Sequence, residues 1–385
     1  MKLFLIALAV LSPQPIGDDL VTLDVDGVEP AVERGVEILL SMQESLGSKE
    51  GEKVEWPYEG VYREAGSIPP GYRVGGTSIS AWALLEAPGW KKTSERAKAV
   101  ERATVFVLDM LETDRMASGF SGGYDVRGWG HAYALNFLLR LRELKRVPTK
   151  LKERVDKTIA DLVQTLEDTA IEGEGGWNYA RRGGGRASTF MTAPTLQFLF
   201  YAEEQGEEVD PAIIKRALRA LEEARLDSGA FQYGSNPDRK TGEGFEAVEG
   251  STGRSPVCEV TLVLAGRGSV DAIRSAIDDF FEHWEWLEKR RRQDRTHIPP
   301  FMIAPYYFFF AHYAVAQAIE FLPEAERPAY RAKFYAVLDE VREPSGGFND
   351  RVFERSENFG TAMSVLGLLA PKTRPTPGWP GAKEK

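Results

Sequence analysis

The chain has 385 residues, a formal net charge of -10 and a pI near 5.2, a balance that argues against general nucleic-acid binding through a basic surface. Hydrophobic residues make up 43% and aromatics 11% of the sequence, enough for a sizeable core. The single cysteine, Cys258, excludes an intrachain disulfide, and the four histidines (His131, His283, His297 and His312) show no close metal-type pairing.

Met1-Lys2 precedes an unbroken apolar run over 3–11, and Ser12-Pro13 follows it. One positive residue before a short apolar run is the pattern of a secretory signal peptide. The reading takes 1–16 as that peptide and expects an exported protein, periplasmic or extracellular. The run is too short to span a bilayer, so no transmembrane segment is expected in the mature chain.

From residue 28 onward two kinds of helix alternate. Amphipathic helices are expected over 30–43, 93–112, 148–166, 210–225, 269–287 and 323–341. In the first of them Val32, Val36, Leu39 and Leu40 share one face. Asp210-Pro211 places a carboxylate at an N-cap and proline at the first helical position. Segments apolar on nearly every side fall at 77–85, 130–141, 189–202, 257–264, 305–321 and 360–369. A helix that is apolar all round is buried all round.

Between the two kinds lies a recurring loop. Ser121-Gly122-Gly123-Tyr124, Glu174-Gly175-Gly176-Trp177, Ser228-Gly229-Ala230-Phe231 and Ser345-Gly346-Gly347-Phe348 share one pattern. The steps between the aromatics are 53, 54 and then 117 residues, the last about two periods. The first and fifth periods are degenerate: Trp56-Pro57-Tyr58 stands in for one signature, and 290–300 lacks the glycines. Six amphipathic helices around six buried ones give an all-α (α/α)6 toroid over 28–370. The Pro-, Gly- and Lys-rich tail, 371–385, is expected to be disordered.

The outer-helix ending Leu39-Leu40-Ser41-Met42-Gln43 and the glycine-aromatic loops resemble the repeats of the terpenoid cyclase and protein prenyltransferase superfamily, whose members are α/α toroids. The resemblance implies that fold over 28–370. It carries less of the activity, because one fold hosts many functions. The Asp-x-Asp-Asp acid of squalene-hopene-type cyclases finds only Asp24-Val25-Asp26-Gly27 here. The prenyltransferase zinc set finds Cys258, but Pro256 stands two residues before it and His312 is displaced, so zinc at Cys258 is not expected. No phosphate-binding glycine loop or other cofactor motif is present, and no cofactor is expected. Asp278-Asp279 and Asn349-Asp350 look like diphosphate-metal motifs, but the first falls on a solvated helix face and the second in a repeat loop.

In a toroid the loops before the inner helices gather at one mouth, where helix N-termini carry partial positive charge. Arg73, Arg127, Arg181, Arg186 and Arg254 fall in those loops. They either attract an anion or pair with neighbouring carboxylates. Trp129, Trp177, Tyr306 and Tyr307 are candidate aromatic walls, with core packing as the alternative. The leading expectation is a binding protein for a hydrophobic ligand with an anionic head, such as a polyprenyl phosphate. Two alternatives stay open: a lyase or hydrolase acting on acidic polysaccharide, with Asp125, His131, Tyr179 and Glu259 as candidate catalytic groups, and a structural repeat protein with a filled cavity.

Overall fold

A computed structural model describes residues 20–46, 52–119, 126–179, 186–236, 238, 241–295, 297–302 and 307–383. The helices pair along the chain: α1 (Val28–Met42) with α2 (Pro70–Glu86), α3 (Glu95–Leu111) with α4 (Arg127–Glu143), α5 (Lys152–Thr169) with α6 (Thr189–Glu204), α7 (Pro211–Glu223) with α8 (Ser255–Leu264), α9 (Val270–Glu282) with α10 (Phe308–Ile319), and α11 (Arg327–Glu340) with α12 (Glu357–Leu369). Short helices, Val248–Ser251 and Trp284–Arg291, fill out the fourth and fifth connections. No β-strand occurs among the described residues, only isolated bridges such as Arg225 with Phe231.

The even-numbered helices are the inner ring. Each packs on the next, and α12 packs back on α2, which closes the barrel. Each odd-numbered helix from α3 onward lies outside the inner helix that precedes it, and α1 covers α12. That last contact is close: a Cβ at Gly35 would stand 2.5 Å from Val365. Burial follows the sequence pattern. Nearly every residue of α2 from Pro70 to Leu85 is buried, whereas α7 buries only the stripe Ile213, Ile214, Ala217, Leu218, Ala220 and Leu221. Three of the outer helices, α3, α7 and α9, begin on side-chain caps: Ser94 accepts from the Ala97 amide, Asp210 from Ala212 and Ser269 from Ala272. Each such cap contributes about 1 kcal/mol.

The glycine-aromatic loop proves to be a docking device. The loop at 121–124 lies outside the described residues; in the others the backbone N–H of the aromatic residue donates to a hydroxyl on or leading into the next inner helix: Trp56 to Thr77 (3.0 Å), Trp177 to Thr192 (3.0 Å), Phe231 to Ser251 (2.8 Å) and Phe348 to Thr361 (3.0 Å). The glycine before Trp177, Gly176, has φ of 77°, and a Cβ there would lie 2.7 Å from the Thr192 hydroxyl. Where the aromatic is tryptophan, its indole N–H also takes an unpaired carbonyl in the last turn of the outer helix. Trp56 donates to Leu39 O at 2.6 Å and Trp177 to Leu166 O at 2.7 Å.

Two expectations need correction. Helix α2 begins at Pro70 rather than at 77, so Gly75-Gly76 is helical and not a loop. The pair is there because α2 is approached on two sides. A Cβ at Gly75 would lie 2.3 Å from the Trp129 ring, and one at Gly76 would lie 2.5 Å from the Tyr58 nitrogen. The tail is not disordered over 371–383. Trp379 is buried, its amide donates to Leu264 O at 2.9 Å, and its ring stacks on Phe200. The composition suggested a solvated tail, but one tryptophan and one arginine dock it on the inner-helix C-termini. The segment read as a signal peptide lies outside the described residues, apart from which no helix is long and apolar enough to cross a membrane.

Candidate functional site

The N-terminal ends of the inner helices converge on a cluster of aromatic rings. Trp129, in the first turn of α4, stands 5.8 Å from Tyr58, 5.7 Å from Tyr72, 6.1 Å from Tyr307 and 6.0 Å from Phe359, centroid to centroid. Tyr179 stacks on Tyr307 at 6.0 Å with the ring planes 12° apart. These rings fill the space that a hollow toroid would leave open at its mouth.

Tyr307 takes its place through an unusual backbone. It is the N-cap of α10 with φ of 68°, a left-handed conformation that costs a non-glycine residue about 1–2 kcal/mol. The carboxylate of Asp350 holds it. Asp350 accepts from the amides of Tyr307 (3.1 Å) and Phe309 (2.9 Å) and from the Tyr58 hydroxyl (2.9 Å). Burial pushes the Asp350 carboxyl up to about 6, although these three donors and Arg351 pull in the other direction.

Arg254 is the N-cap of α8, directly after the turn that carries Ser251. Ser251 draws in the Phe231 amide, and the Phe231 carbonyl then faces the guanidinium. Arg254 donates to Phe231 O from Nε (3.0 Å) and Nη2 (2.5 Å), to Gly250 O from Nη1 (2.7 Å), and to Phe245 O. All its hydrogen-bond partners are neutral carbonyls, and it makes no ion pair among the described residues. The Phe190 and Tyr233 rings each lie 5.9 Å from the guanidinium carbon. Burial lowers the guanidinium to about 10, against opposing contributions from Cys258, Tyr233, Tyr179 and Glu246. A cation kept from water with no ion-pair partner among the described residues is an electrostatic demand, because a buried charge normally retains a close counter-charge. Beside it is a cavity of about 20 Å³, room for roughly one water. Phe190, Tyr233, Phe245, Met302, Tyr307 and Phe308 are among its walls, and no carboxylate is among the described residues that line it.

The other arginines do not form a ring of available cations. Arg73 sits within α2 and is held by Glu55, with Nε–Oε2 at 2.7 Å and Nη2–Oε1 at 2.5 Å. Arg127 is buried and donates to Ala117 O at 2.7 Å. Arg186 is exposed and donates to Ser235 O at 3.1 Å. Trp177 shares no ring contact with the mouth cluster, and its indole N–H is engaged by Leu166. Arg181, Tyr306 and Asp125 lie outside the described residues.

Among the described residues, no hydrogen bond or ring contact joins the candidate catalytic groups His131, Tyr179 and Glu259. His131 is buried with Nε2 on Met116 O at 2.7 Å, and burial lowers it to about 4. Glu259 pairs with Arg225 of the outer layer at 2.6 Å. Tyr179 is committed to the stack on Tyr307. Cys258 is wholly buried, and burial raises its thiol. His312 uses both ring nitrogens in the core, one on Phe308 O and one accepting from the Trp284 indole. Asp24 folds back to accept from the Asp26 and Gly27 amides in the turn before α1. Asp278 accepts from the Tyr330 hydroxyl at the surface.

Sequence reading missed Asp350 as an anchor and overlooked Tyr58, Tyr72, Phe190, Tyr233 and Phe245. The signal for Tyr58 was its place in the degenerate first signature, and for Asp350 its place two residues after Phe348.

In comparisons with known proteins, no family model matches the chain, and no curated protein matches it in sequence. Solved structures do match. The Lin0763 protein from Listeria innocua is 12% identical with a TM-score of 0.55, over 90% of this chain and 99% of that one. The type II terpene cyclase MstE from Scytonema is 13% identical with a TM-score of 0.53, over 90% and 99%. An alpha-amylase from Clostridium perfringens is 13% identical with a TM-score of 0.51, over 90% and 98%. MstE is also known as a variant in complex with its substrate, geranylgeranyl dihydroxybenzoate. The protein is an α/α toroid. Its fold is the one the terpenoid cyclase resemblance implied, and at these identities the likeness is one of fold.

Proposed function

We propose that this protein is a ligand-binding α/α toroid whose site is the Arg254 pocket, and that it takes a hydrophobic ligand with an anionic head. The observation that carries this reading is the buried Arg254 guanidinium, bound among the described residues only to carbonyls and facing an aromatic pocket with no carboxylate among its described lining residues. An anionic head supplies the missing counter-charge, and the surrounding rings supply apolar contact. The cavity of about 20 Å³ admits a head group's outermost atoms and no chain. Binding of a full ligand therefore includes rotation of Phe190, Tyr233 or Phe245 away from the guanidinium. A toroid of the same fold, MstE, takes geranylgeranyl dihydroxybenzoate as its substrate, which supports an isoprenoid chain as the apolar part. Export, read from residues 1–16, would place that ligand outside the cytoplasm.

Native mass spectrometry with farnesyl phosphate tests the reading. The parent chain should retain the ligand at micromolar concentration, and Arg254→Gln should weaken binding at least tenfold. Tyr233→Ala keeps the charge and widens the pocket, so it should bind as well as the parent or better. If neither the parent nor Tyr233→Ala binds, the pocket is not a ligand site. The filled lumen then favours a second reading, a structural repeat protein whose outer surface does the work.

A further inference from the structure

At the other end of the inner helices, about 15 Å along the ten-residue α8, the C-terminal segment crosses the barrel. Arg374 reaches the last turns of two inner helices. Its Nη2 donates to both carboxylate oxygens of Glu204 of α6 (2.6 and 2.7 Å), and its Nη1 to Glu143 of α4. Its own carbonyl accepts from Arg140 at 2.9 Å. Thr376 accepts from Gln317 of α10 at 3.2 Å, and Trp379 is pinned to Leu264 of α8 and stacked on Phe200 of α6. The segment thus ties together four inner helices at their C-termini, where the partial charge is negative and a guanidinium is welcome.

Beneath it is a second small chamber, about 30 Å³. Its floor is the edge-to-face pair Trp82 and Tyr313, 5.4 Å apart, with Leu366 as one wall and Pro375 and Thr376 as the roof. The segment is docked but not locked. Arg374 is half exposed, so its ion pairs are open to water and salt. The buried Trp379 indole N–H has no hydrogen-bond partner among the described residues. Four prolines, Pro371, Pro375, Pro377 and Pro380, stiffen the segment, so it lifts or docks with little change in its own freedom.

We propose that residues 371–383 are a tethered occupant of a recognition groove on the C-terminal face, and that the groove accepts the same cationic Arg-Pro-Trp segment from a second copy of this chain once the strap lifts. The groove supplies Glu143 and Glu204 for the guanidinium, the Gln317 amide for the threonine and the Phe200 ring for the tryptophan. This inference is independent of the Arg254 pocket and stands or falls without it.

Maleimide labelling of a Leu366→Cys chain reads the strap directly, because Cys258 is buried and its thiol is held protonated. In the full chain labelling should be slow. Adding Arg374→Ala and Trp379→Ala should speed it at least tenfold. A synthetic peptide of residues 371–383 should then bind in trans and slow it again, whereas the same peptide with Arg374→Ala should not. Sodium chloride at 1 M offers a version without the latch substitutions: it should speed labelling of the Leu366→Cys chain by screening the Arg374 pairs. Equal rates with and without the latch residues, and no response to salt, would overturn the strap. Fast labelling that the peptide does not slow would overturn recognition in trans.

Discussion

The amide of Tyr307 donates to the carboxylate of Asp350 at 3.1 Å, across 43 residues of chain, and so holds Tyr307 in a left-handed backbone. The same carboxylate receives the Tyr58 hydroxyl from the first repeat. One buried side chain of the sixth repeat therefore ties the first and fifth repeats to the mouth of the toroid.

This arrangement makes stability depend on pH in a specific way. Burial raises Asp350 to about 6, so between pH 6 and 4 the folded state binds a proton there that the unfolded chain does not. Burial lowers His131 to about 4 and His312 to about 3, so below pH 6.5 the unfolded chain binds two protons that the fold refuses. At pH 5 these three groups leave the unfolded chain one proton ahead. Their own contribution is a fall in stability of about 1.4 kcal/mol for each unit of acidification near pH 5. In Asp350→Asn the excess from these groups becomes two protons, so the slope should steepen by about 1.4 kcal/mol per pH unit relative to the parent. Urea unfolding of both chains at pH 5 and pH 6 measures the difference; equal slopes would show that Asp350 does not take up a proton in the fold.

Gly75→Ala should be destabilising by about 1–3 kcal/mol, because the new methyl enters the Trp129 ring and neither helix can withdraw without disturbing the barrel. Gly119→Ala, where a Cβ meets nothing within 4 Å, is the control and should be nearly neutral. Thermal melts of the two variants decide it. Equal midpoints would mean that α2 and α4 are less closely packed than their geometry indicates.

The hydroxyl that docks each signature loop is testable by an isosteric change. Thr361→Val removes the acceptor for the Phe348 amide and leaves that buried N–H without its partner, at about 1–3 kcal/mol. Thr192→Val should do the same for Trp177. A loss well below 0.5 kcal/mol in both, read by urea titration, would demote the bond from a determinant of the repeat to an incidental contact.

Arg73 and Glu55 form a close pair at 2.5 Å, and the Glu55 side chain is wholly buried. Arg73→Met should cost about 3–5 kcal/mol by leaving an uncompensated carboxylate. Adding Glu55→Gln should recover part of that loss, since it removes the stranded charge. A double-mutant cycle measures the coupling, and additive losses would contradict the pairing.

The fold was legible in the sequence because its signals are local. Apolar spacing in α1 and α7, the Asp210-Pro211 start and the repeated glycine-aromatic loop each depend on residues a few positions apart, and a fixed period then forces one unit to stack on the next. Chain-local chemistry also drew attention to Arg254, but it could not distinguish Arg254 from Arg73. The difference is that Glu55 pairs with one, whereas the other donates only to backbone carbonyls among the described residues, and both environments come from closing the ring. The same holds for Asp350, which looked like a metal ligand in a loop until Tyr58 and Tyr307 arrived from other repeats. Composition misjudged the tail for the same reason: its polar, proline-rich sequence contains one tryptophan and one arginine whose partners exist only once four inner helices stand side by side. Periodicity along the chain thus determined the toroid, while charge pairing, the filling of the lumen and the docking of the tail were decided by contacts between distant segments.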